Sequence, residues 1–263
     1  MTSVVFMGRK DVSTQCLAWL SQINNVKVVA VLTDNHLSIS PTSEKARELN
    51  IPILTLEELI ESVKNNQIQF DIAFSMLYWR KIPNSLIQHA KKGIINFHPA
   101  PLPEYKGTAG YNLAILEGLE KWSVTAHYVD ESIDTGSIIK LSTFDIDKNN
   151  ETAKSLEKIS RVYLFDLFRE VSTKALDSVG LLDTKPNNGG RYISRQKMEE
   201  MKKIDIKCDD IDRKIRAFWF PPYDGAYIEI NNKKYTLINR EILETLADSS
   251  ASSLFTKEEN KKC

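Results

Sequence analysis

The first hundred residues alternate between short apolar runs and segments whose apolar residues recur at helical spacing. The apolar runs predict strands at residues 4–7, 28–32, 51–54, 70–76 and 93–97. The segments between them predict helices at residues 11–20, 43–49, 56–65 and 84–92. Because the strand-like runs are apolar on both faces, they are typical of parallel strands covered by helices. The sequence therefore predicts an α/β fold, a mostly parallel sheet with helices on both faces.

The pattern changes in the second half of the chain. Helices are predicted at about 109–117, 151–179 and 211–218, and strands at 123–129, 136–142, 226–230 and 234–238. The run at 186–190, Pro-Asn-Asn-Gly-Gly, predicts a linker. We therefore expect a Rossmann-like domain over 1–190, a small C-terminal α+β subdomain with a β-hairpin over 191–245, and a flexible tail over 246–263.

Charge and cysteine content narrow the function classes. Lys plus Arg and Asp plus Glu each number 35, so the net charge is zero and the protein as a whole has no positive electrostatic potential that would attract nucleic acid. No apolar run reaches membrane-spanning length, and the first residues lack the features of a signal peptide. The three cysteines, Cys16, Cys208 and Cys263, are too scattered for a disulfide framework or a metal site. We expect reduced thiols, a cytoplasmic protein, no membrane partner and no metal.

The densest cluster of unusual residues lies at 96–107, directly after a predicted strand. Three prolines within five positions exclude a helix or a central strand and indicate a rigid loop. Asn96 and His98 are two residues apart, so in an extended segment their side chains share one face. Sheets of this class bind ligands at the carboxyl ends of their strands. The loop therefore presents an amide and an imidazole at the expected ligand-binding edge.

An acidic loop at 130–136 could bring a carboxylate to His98. An imidazole can move a proton near neutral pH, a carboxylate orients it, and an amide N–H can stabilise a developing oxyanion. These groups fit acyl transfer to an amine. No G-x-S-x-G motif is present and Cys16 lies in a predicted helix, so direct attack by a bound amine is the simplest scheme. Composition alone leaves a purely structural role for the histidine open.

Three segments resemble the formyltransferase family that uses N10-formyltetrahydrofolate: Asn96-x-His98-Pro99, Leu102-Pro103-x-Tyr105-Lys106-Gly107 and Asp134-x-Gly136. The resemblance covers residues 1 to about 200. It implies that Asn96 polarises the formyl carbonyl, His98 is the general acid/base and Asp134 supports His98. It also implies a folate site made of Lys81, Ile82, Pro83, Asp130, Glu131, Ser132, Ile133 and Asp134. The family's loop is often Pro-Ser-Leu-Leu-Pro-x-Tyr-Arg-Gly, whereas this chain has Ala100-Pro101 in the middle and Lys106 for the arginine.

Three features favour the sugar branch of that family. Zero net charge disfavours a tRNA acceptor, and the chain after Gly190 is short for a nucleic-acid-binding β-barrel. Arg9 and Lys10 follow the first strand and suit a pyrophosphate, although a solvated helix start explains them equally well. The first loop has no glycine-rich phosphate cradle, which disfavours glycinamide ribonucleotide formyltransferase.

We therefore predict a formyltransferase that acts on a nucleotide-linked amino-dideoxy sugar, dTDP-linked in preference to UDP-linked, for lipopolysaccharide O-antigen synthesis. A homodimer without a nucleic-acid partner is expected. The predicted substrate-binding residues are Arg9, Lys10, Tyr78, Trp79, Arg80, Tyr105, Lys106, Gly107, Thr108, Trp219 and Tyr223. The alternatives are a methionyl-tRNA formyltransferase-like enzyme and a non-catalytic folate- or nucleotide-binding module. The aromatic segment at 215–227 could equally be a structural mini-core.

Overall fold

A computed structural model describes residues 1–33 and 39–246, so nearly all of the tail predicted at 246–263 lies outside the described residues. The strands are β1 Thr2–Met7, β2 Val26–Leu32, β3 Ile53–Leu54, β4 Ile72–Met76, β5 Ile94–His98, β6 Tyr105–Gly107, β7 Lys121–Tyr128, β8 Ile138–Asp145, β9 Arg191–Ile193, β10 Tyr227–Ile230 and β11 Lys233–Thr236. The helices are α1 Asp11–Leu20, α2 Pro41–Glu48, α3 Leu56–Lys64, α4 Asn84–His89, α5 Gly110–Leu116, α6 Ala153–Asp177, α7 Arg195–Met201, α8 Ile211–Phe218 and α9 Arg240–Leu246.

The main sheet has seven strands in the order β3-β2-β1-β4-β5-β7-β8. The first five strands of that order are parallel, while β7 is antiparallel to both β5 and β8. Two small sheets accompany it: β6 pairs with β9 in parallel, and β10 with β11 as an antiparallel hairpin. The prediction of a Rossmann-like, mostly parallel sheet is therefore confirmed.

Helices cover both faces of the sheet because its strands are apolar on both sides. Along β1, Val4 and Phe6 belong to one buried cluster, and Val5 and Met7 to the other. On the first face Phe168 of α6 contacts the Phe6, Phe74 and Phe97 rings at centroid distances of 6.1, 5.5 and 4.9 Å. On the second face the buried side chains include Leu59 of α3 and Leu86 of α4. Burial of this apolar surface is the main force that stabilises the layered arrangement.

Strand register gathers three polar residues at one edge of the sheet. Ser75 of β4 is the register partner of Asn96 in parallel β5, and Asn96 is the partner of His127 in antiparallel β7. Because β4 ends at Met76 and β5 ends at His98, this edge is the carboxyl end of the parallel strands. It is the edge where sheets of this class bind ligands.

The chain after β9 packs on α5 and on the start of α6. Asn112 of α5 donates a hydrogen bond to the carbonyl of Ala217 in α8 at 2.7 Å. Arg216 is buried and donates to the carbonyl of Glu151 at 2.9 Å while it pairs with Asp212. The short elements β6, β9, α7 and α9 were not among the sequence predictions. Within the described ranges, no helix combines the length and apolarity that a membrane crossing requires.

Candidate active site

Asn96 is held by side chains from the two neighbouring strands. The Ser75 hydroxyl donates to Asn96 Oδ1 at 2.8 Å, and Asn96 Nδ2 lies 3.0 Å from His127 Nε2. His127 Nδ1 is 2.7 Å from the carbonyl of Tyr128, which can only accept, so Nδ1 carries a proton and Nε2 accepts from the amide. The carboxamide is thus fixed, and its second N–H is available to a ligand.

His98 is only 5% exposed, and one of its ring nitrogens is already committed. His98 Nε2 lies 2.8 Å from the carbonyl of Tyr105 and must donate to it, which leaves Nδ1 as the nitrogen that can accept a proton. Nδ1 lies 3.5 Å from Asp134 Oδ2. Burial lowers the pKa of His98 by more than the Asp134 carboxylate raises it, so the imidazole is neutral at pH 7.

Asp134 lies in a tight turn at the end of the acidic loop. Its φ of +55° is in the left-handed region, which is uncommon for a residue other than glycine. The N–H of Gly107 donates to Asp134 Oδ2 at 2.9 Å, and His127 Nε2 is 3.7 Å from Oδ1. Burial would raise the pKa of this carboxyl, but His127, His98 and the Gly107 N–H together hold it below its ordinary value. Asp134 is therefore a carboxylate at neutral pH.

A cleft opens beside these groups at the end of β4, β5 and β7. It is lined by Ser75, Tyr78, Trp79, Arg80, Lys81, Ile82, Asn96, His127, Val129, Asp130, Ser132, Ile133 and Asp134. Asn96 and Asp134 thus face the cleft, whereas His98 is not among the residues that line it. The side chains combine aromatic and aliphatic surface with a few polar groups, the usual composition of a small-molecule site.

Most of the predicted folate-binding residues lie in this one cleft. Lys81, Ile82, Asp130, Ser132, Ile133 and Asp134 line it, while Pro83 and Glu131 do not. Tyr78, Trp79 and Arg80, which were predicted to bind the second substrate, line the same cleft. The Arg80 guanidinium also donates to the Glu57 carboxylate at 2.8 Å.

The remaining predicted substrate-binding residues lie outside the cleft. Lys10 follows β1 and its ammonium is 3.3 Å from the buried carboxylate of Glu157. Trp219 follows α8, and Tyr223 is 61% exposed four residues further on. Four other members of the predicted set, Arg9, Lys106, Gly107 and Thr108, do not line the cleft either.

Tyr105 is buried in β6 and bonds elsewhere. Its hydroxyl donates to the Glu117 carboxylate, and Arg191 lies over its ring at 4.7 Å. Burial raises the pKa of Tyr105 to about 12, so the phenol keeps its proton. Its backbone carbonyl, not its side chain, contacts the candidate catalytic group His98.

Sequence reasoning missed two residues that hold Asn96. These are His127 and Ser75, and neither was among the predicted site residues. A sequence signal existed, because Ser75 and His127 lie near the ends of the predicted strands 70–76 and 123–129. Using it required the strand order, in particular the antiparallel pairing of β5 with β7 that places His127 opposite Asn96.

Comparison with known proteins agrees with the geometry. The family model described as formyl transferase matches residues 2–162. A methionyl-tRNA formyltransferase of Listeria welshimeri is 31% identical and aligns over 90% of this chain and 78% of its own length. An N-formyltransferase from Helicobacter canadensis, solved with folinic acid and dTDP-3-aminofucose, is 26% identical with a TM-score of 0.72, over 89% of this chain and 86% of that one.

A second solved structure gives the same result. WlaRD, a sugar 3-N-formyltransferase solved in the presence of dTDP and 5-N-formyl-tetrahydrofolate, is 26% identical with a TM-score of 0.71, over 89% of this chain and 84% of that one. The family model spans more than half of the present chain. The protein therefore belongs to the formyl transferase family.

Proposed function

We propose that this protein transfers a formyl group from N10-formyltetrahydrofolate to the amine of a nucleotide-linked amino-dideoxy sugar, with dTDP as the favoured nucleotide. The observation that carries the substrate class is the similarity, over 89% of the chain, to two N-formyltransferases whose structures were solved with dTDP-3-aminofucose or with dTDP. Zero net charge supports it as well. The proposal includes a cytoplasmic homodimer that serves O-antigen synthesis, with residues 1–190 as the catalytic domain and 191–245 as the C-terminal subdomain.

The cleft suits a folate. A pterin ring is flat and carries donors and acceptors along its edge, and the cleft offers aliphatic side chains at Ile82 and Ile133 with polar groups at Asp130 and Ser132. Lys81 is exposed at the same cleft and can pair with a carboxylate of the folate tail. When bound, the folate supplies an activated formyl group beside Asn96.

The three central side chains divide the chemistry between them. The second N–H of Asn96 donates to the formyl oxygen, where negative charge develops as the amine attacks. His98 takes a proton from the attacking nitrogen through Nδ1, since Nε2 is bonded to the Tyr105 carbonyl. Asp134, 3.5 Å away, stabilises the imidazolium that results, and His98 then gives the proton to the departing nitrogen.

The end of β1 supplies cationic groups for a diphosphate. Lys10 and Arg161 share one buried carboxylate, Glu157, at 3.3 and 2.8 Å, and Arg9 adjoins Lys10 in sequence. A diphosphate carries about two negative charges and needs only a few cations. Such a site is compatible with a chain of zero net charge. We propose that the diphosphate binds near Arg9 and Lys10.

A methionyl-tRNA substrate is the second candidate, because the curated relatives that are 25–31% identical carry that name. A tRNA acceptor arm presents many phosphates over a long path, and its affinity depends on an extended basic surface. The equal numbers of acidic and basic residues weigh against such a surface.

A side-by-side assay of the candidate substrates tests the proposal. Initiator methionyl-tRNA and a panel of dTDP- and UDP-linked 3- and 4-amino sugars are each incubated with formyl-folate, and mass gain is measured. A formylated dTDP-amino sugar with unmodified tRNA is expected, and His98→Ala serves as the inactive control. Efficient formylation of the tRNA with every sugar inert would replace the proposal by the second candidate. Folate binding without any product would point to a non-catalytic module.

The proposed diphosphate site is tested separately. Arg9→Ala should raise the KM for the nucleotide sugar several-fold and leave the folate KM nearly unchanged, since about one charge-assisted contact is lost. Arg47→Ala, at an exposed position of α2, is the matched control. Free dTDP should compete with the sugar and not with formyl-folate. Equal effects on both KM values would place the diphosphate elsewhere.

A further inference from the structure

Residues 187–193, here called the strap, lie against the loop that carries Asp134 and against β6, whose backbone bonds His98 and Asp134. Asn187 Nδ2 donates to the carbonyl of Asp134 at 3.0 Å and to that of Gly136 at 2.8 Å. Further along, β9 pairs with β6, so the strap also reaches the strand that bonds His98 and Asp134. The run expected to be a linker at 186–190 therefore overlaps a segment with specific contacts to the site.

Asn187 is the buried member of the strap, with 7% of its surface exposed. Its two donations go to carbonyls two residues apart, on either side of Thr135, and Asp134 begins that turn at a φ of +55°. Its Oδ1 is buried and has no partner within the described part of the chain. All hydrogen bonds of the Asn187 side chain are therefore made with the turn at 134–136.

The carboxylate end of Asp134 is held through the same strap. Oδ2 accepts from the N–H of Gly107, and Gly107 is the register partner of Ile193 in β9. The same oxygen is the one that lies 3.5 Å from His98 Nδ1. A turn in a sparsely populated backbone conformation persists only when its surroundings fix it, and a misplacement of about 1 Å can cost ~100-fold in rate.

We propose that Asn187 is a positioning residue, which fixes the turn at 134–136 so that the Asp134 carboxylate stays beside His98 Nδ1. The proposal rests on the proposed roles of His98 and Asp134, but not on the identity of the amine. Asn187 lies beyond residue 162, where the match to the family model ends, so the proposal gives a role in the site to a residue outside the matched region. Asn187 thus contributes to the catalytic arrangement through Asp134.

A substrate-free measurement tests the structural part. Hydrogen exchange of the Gly107 amide, which donates to Asp134 Oδ2, is followed by NMR in Asn187→Ala and in Asn188→Ala, an exposed neighbour of the same residue type. Exchange should accelerate about tenfold or more in Asn187→Ala only, because the turn loses both bonds. The Tyr105 amide, bonded to Pro101, is the internal reference and should not change. Unchanged protection of Gly107 would overturn the proposal.

A double-mutant cycle tests the catalytic part. Asn187→Ala should lower kcat about tenfold or more with nearly unchanged KM values. If Asn187 acts through Asp134, the same substitution made in Asp134→Asn should lower kcat by about twofold or less. A merely structural role would give equal losses in both backgrounds, and that result would overturn the proposal.

Two provisions keep the test decisive. If Asn187→Ala does not fold, Asn187→Ser replaces it in both measurements with the same expected directions, because a serine hydroxyl is too short to reach both carbonyls. If the wild-type protein formylates neither a sugar nor a tRNA, the proposed function fails. The Gly107 exchange measurement then still decides whether Asn187 holds the turn.

Discussion

Asn96 and His98 lie two residues apart on β5, yet they are held in different ways. The Asn96 carboxamide contacts two side chains, Ser75 of β4 and His127 of β7. The His98–Asp134 pair is bonded to two backbone groups, the carbonyl of Tyr105 and the N–H of Gly107. A side-chain contact can be deleted by one substitution, whereas a backbone group can only be displaced. The direct contacts of Asn96 can therefore each be removed by one substitution, whereas those of the His98–Asp134 pair with the backbone cannot.

The two groups also differ in their access to ligands. Asn96 lines the cleft, whereas His98 is 5% exposed and does not line it. The amide can therefore contact a ligand in the cleft directly, while the imidazole can receive a proton only at Nδ1, on the Asp134 side. A rigid amide and a shielded base suit one reaction, because the amide stabilises charge without reorganisation and burial keeps the base neutral.

The largest effects should come from the reacting groups themselves. Asn96→Ala and His98→Ala should each lower kcat by at least ~100-fold, as loss of an oxyanion donor or a general base usually does. Asp134→Ala should do the same, because the imidazolium loses its counter-charge. His89→Ala on α4 and Asn188→Ala are the matched controls, with folding checked by circular dichroism. A near-normal kcat in His98→Ala would show that another group takes the proton.

Removing a support of Asn96 should have the next largest effect. His127→Ala deletes the acceptor that orients the carboxamide, and kcat should fall about tenfold, since a buried hydrogen bond of this kind contributes roughly 1–2 kcal/mol. His127→Gln offers an amide oxygen as acceptor and should recover part of the loss. The measurement is kcat at saturating formyl-folate. If His127→Ala affected only KM, His127 would instead contact a substrate.

The sequence predicts the sheet and the central side chains of the site much better than the residues that hold those side chains in place. Periodicity is strong in the long elements, so the sheet, α1 and α8 were predicted with boundaries close to those observed. Asn96 and His98 were selected from the proline-rich pattern at the end of a predicted strand. Asp134 was selected through the resemblance to the formyltransferase family, because the acidic loop alone offered more than one carboxylate. Their roles remain predictions, but their mutual distances agree with a shared site.

The supports could not be predicted because they are non-local. Tyr105–Gly107 and Arg191–Ile193 are strands of only three residues that pair across more than eighty positions, too short to give a period. Asn187 lies in a Pro-Asn-Asn-Gly-Gly run whose composition is that of a linker, and nothing local separates it from Asn188. Only the folded chain distinguishes the buried asparagine from the exposed one.

The pH dependence should distinguish the shielded base from an exposed one. Because burial lowers the pKa of His98, its protonation should remove activity only below the ordinary histidine value of 6.5. The titratable groups that face His98 are Asp134, whose negative charge raises this pKa, and His127, which lowers it only when it carries a positive charge. Asp134→Asn should therefore move the acid limb of kcat to lower pH.

The profile is measured in single turnovers, so that chemistry limits the rate. The substrate amine also titrates, so wild type and Asp134→Asn are compared with the same substrate. His89→Ala should leave the limb where it is in the wild type. A limb in Asp134→Asn that coincides with the wild-type limb would mean that Asp134 does not act on His98 electrostatically.

The smallest effect should come from a side chain that supports only the backbone contact to His98. Glu117 accepts from the Tyr105 hydroxyl and pairs with Arg191, and so it joins β6 to β9. Glu117→Gln weakens both contacts but leaves the Tyr105 carbonyl, held by the ladder between the two strands, to accept from His98. We expect kcat to fall less than about threefold and stability to fall by about 1 kcal/mol, measured by urea unfolding. Glu120→Gln, on an exposed ion pair with Lys148, is the control. A tenfold loss of kcat in Glu117→Gln would show that the backbone contact depends on this side chain as strongly as Asn96 does on His127.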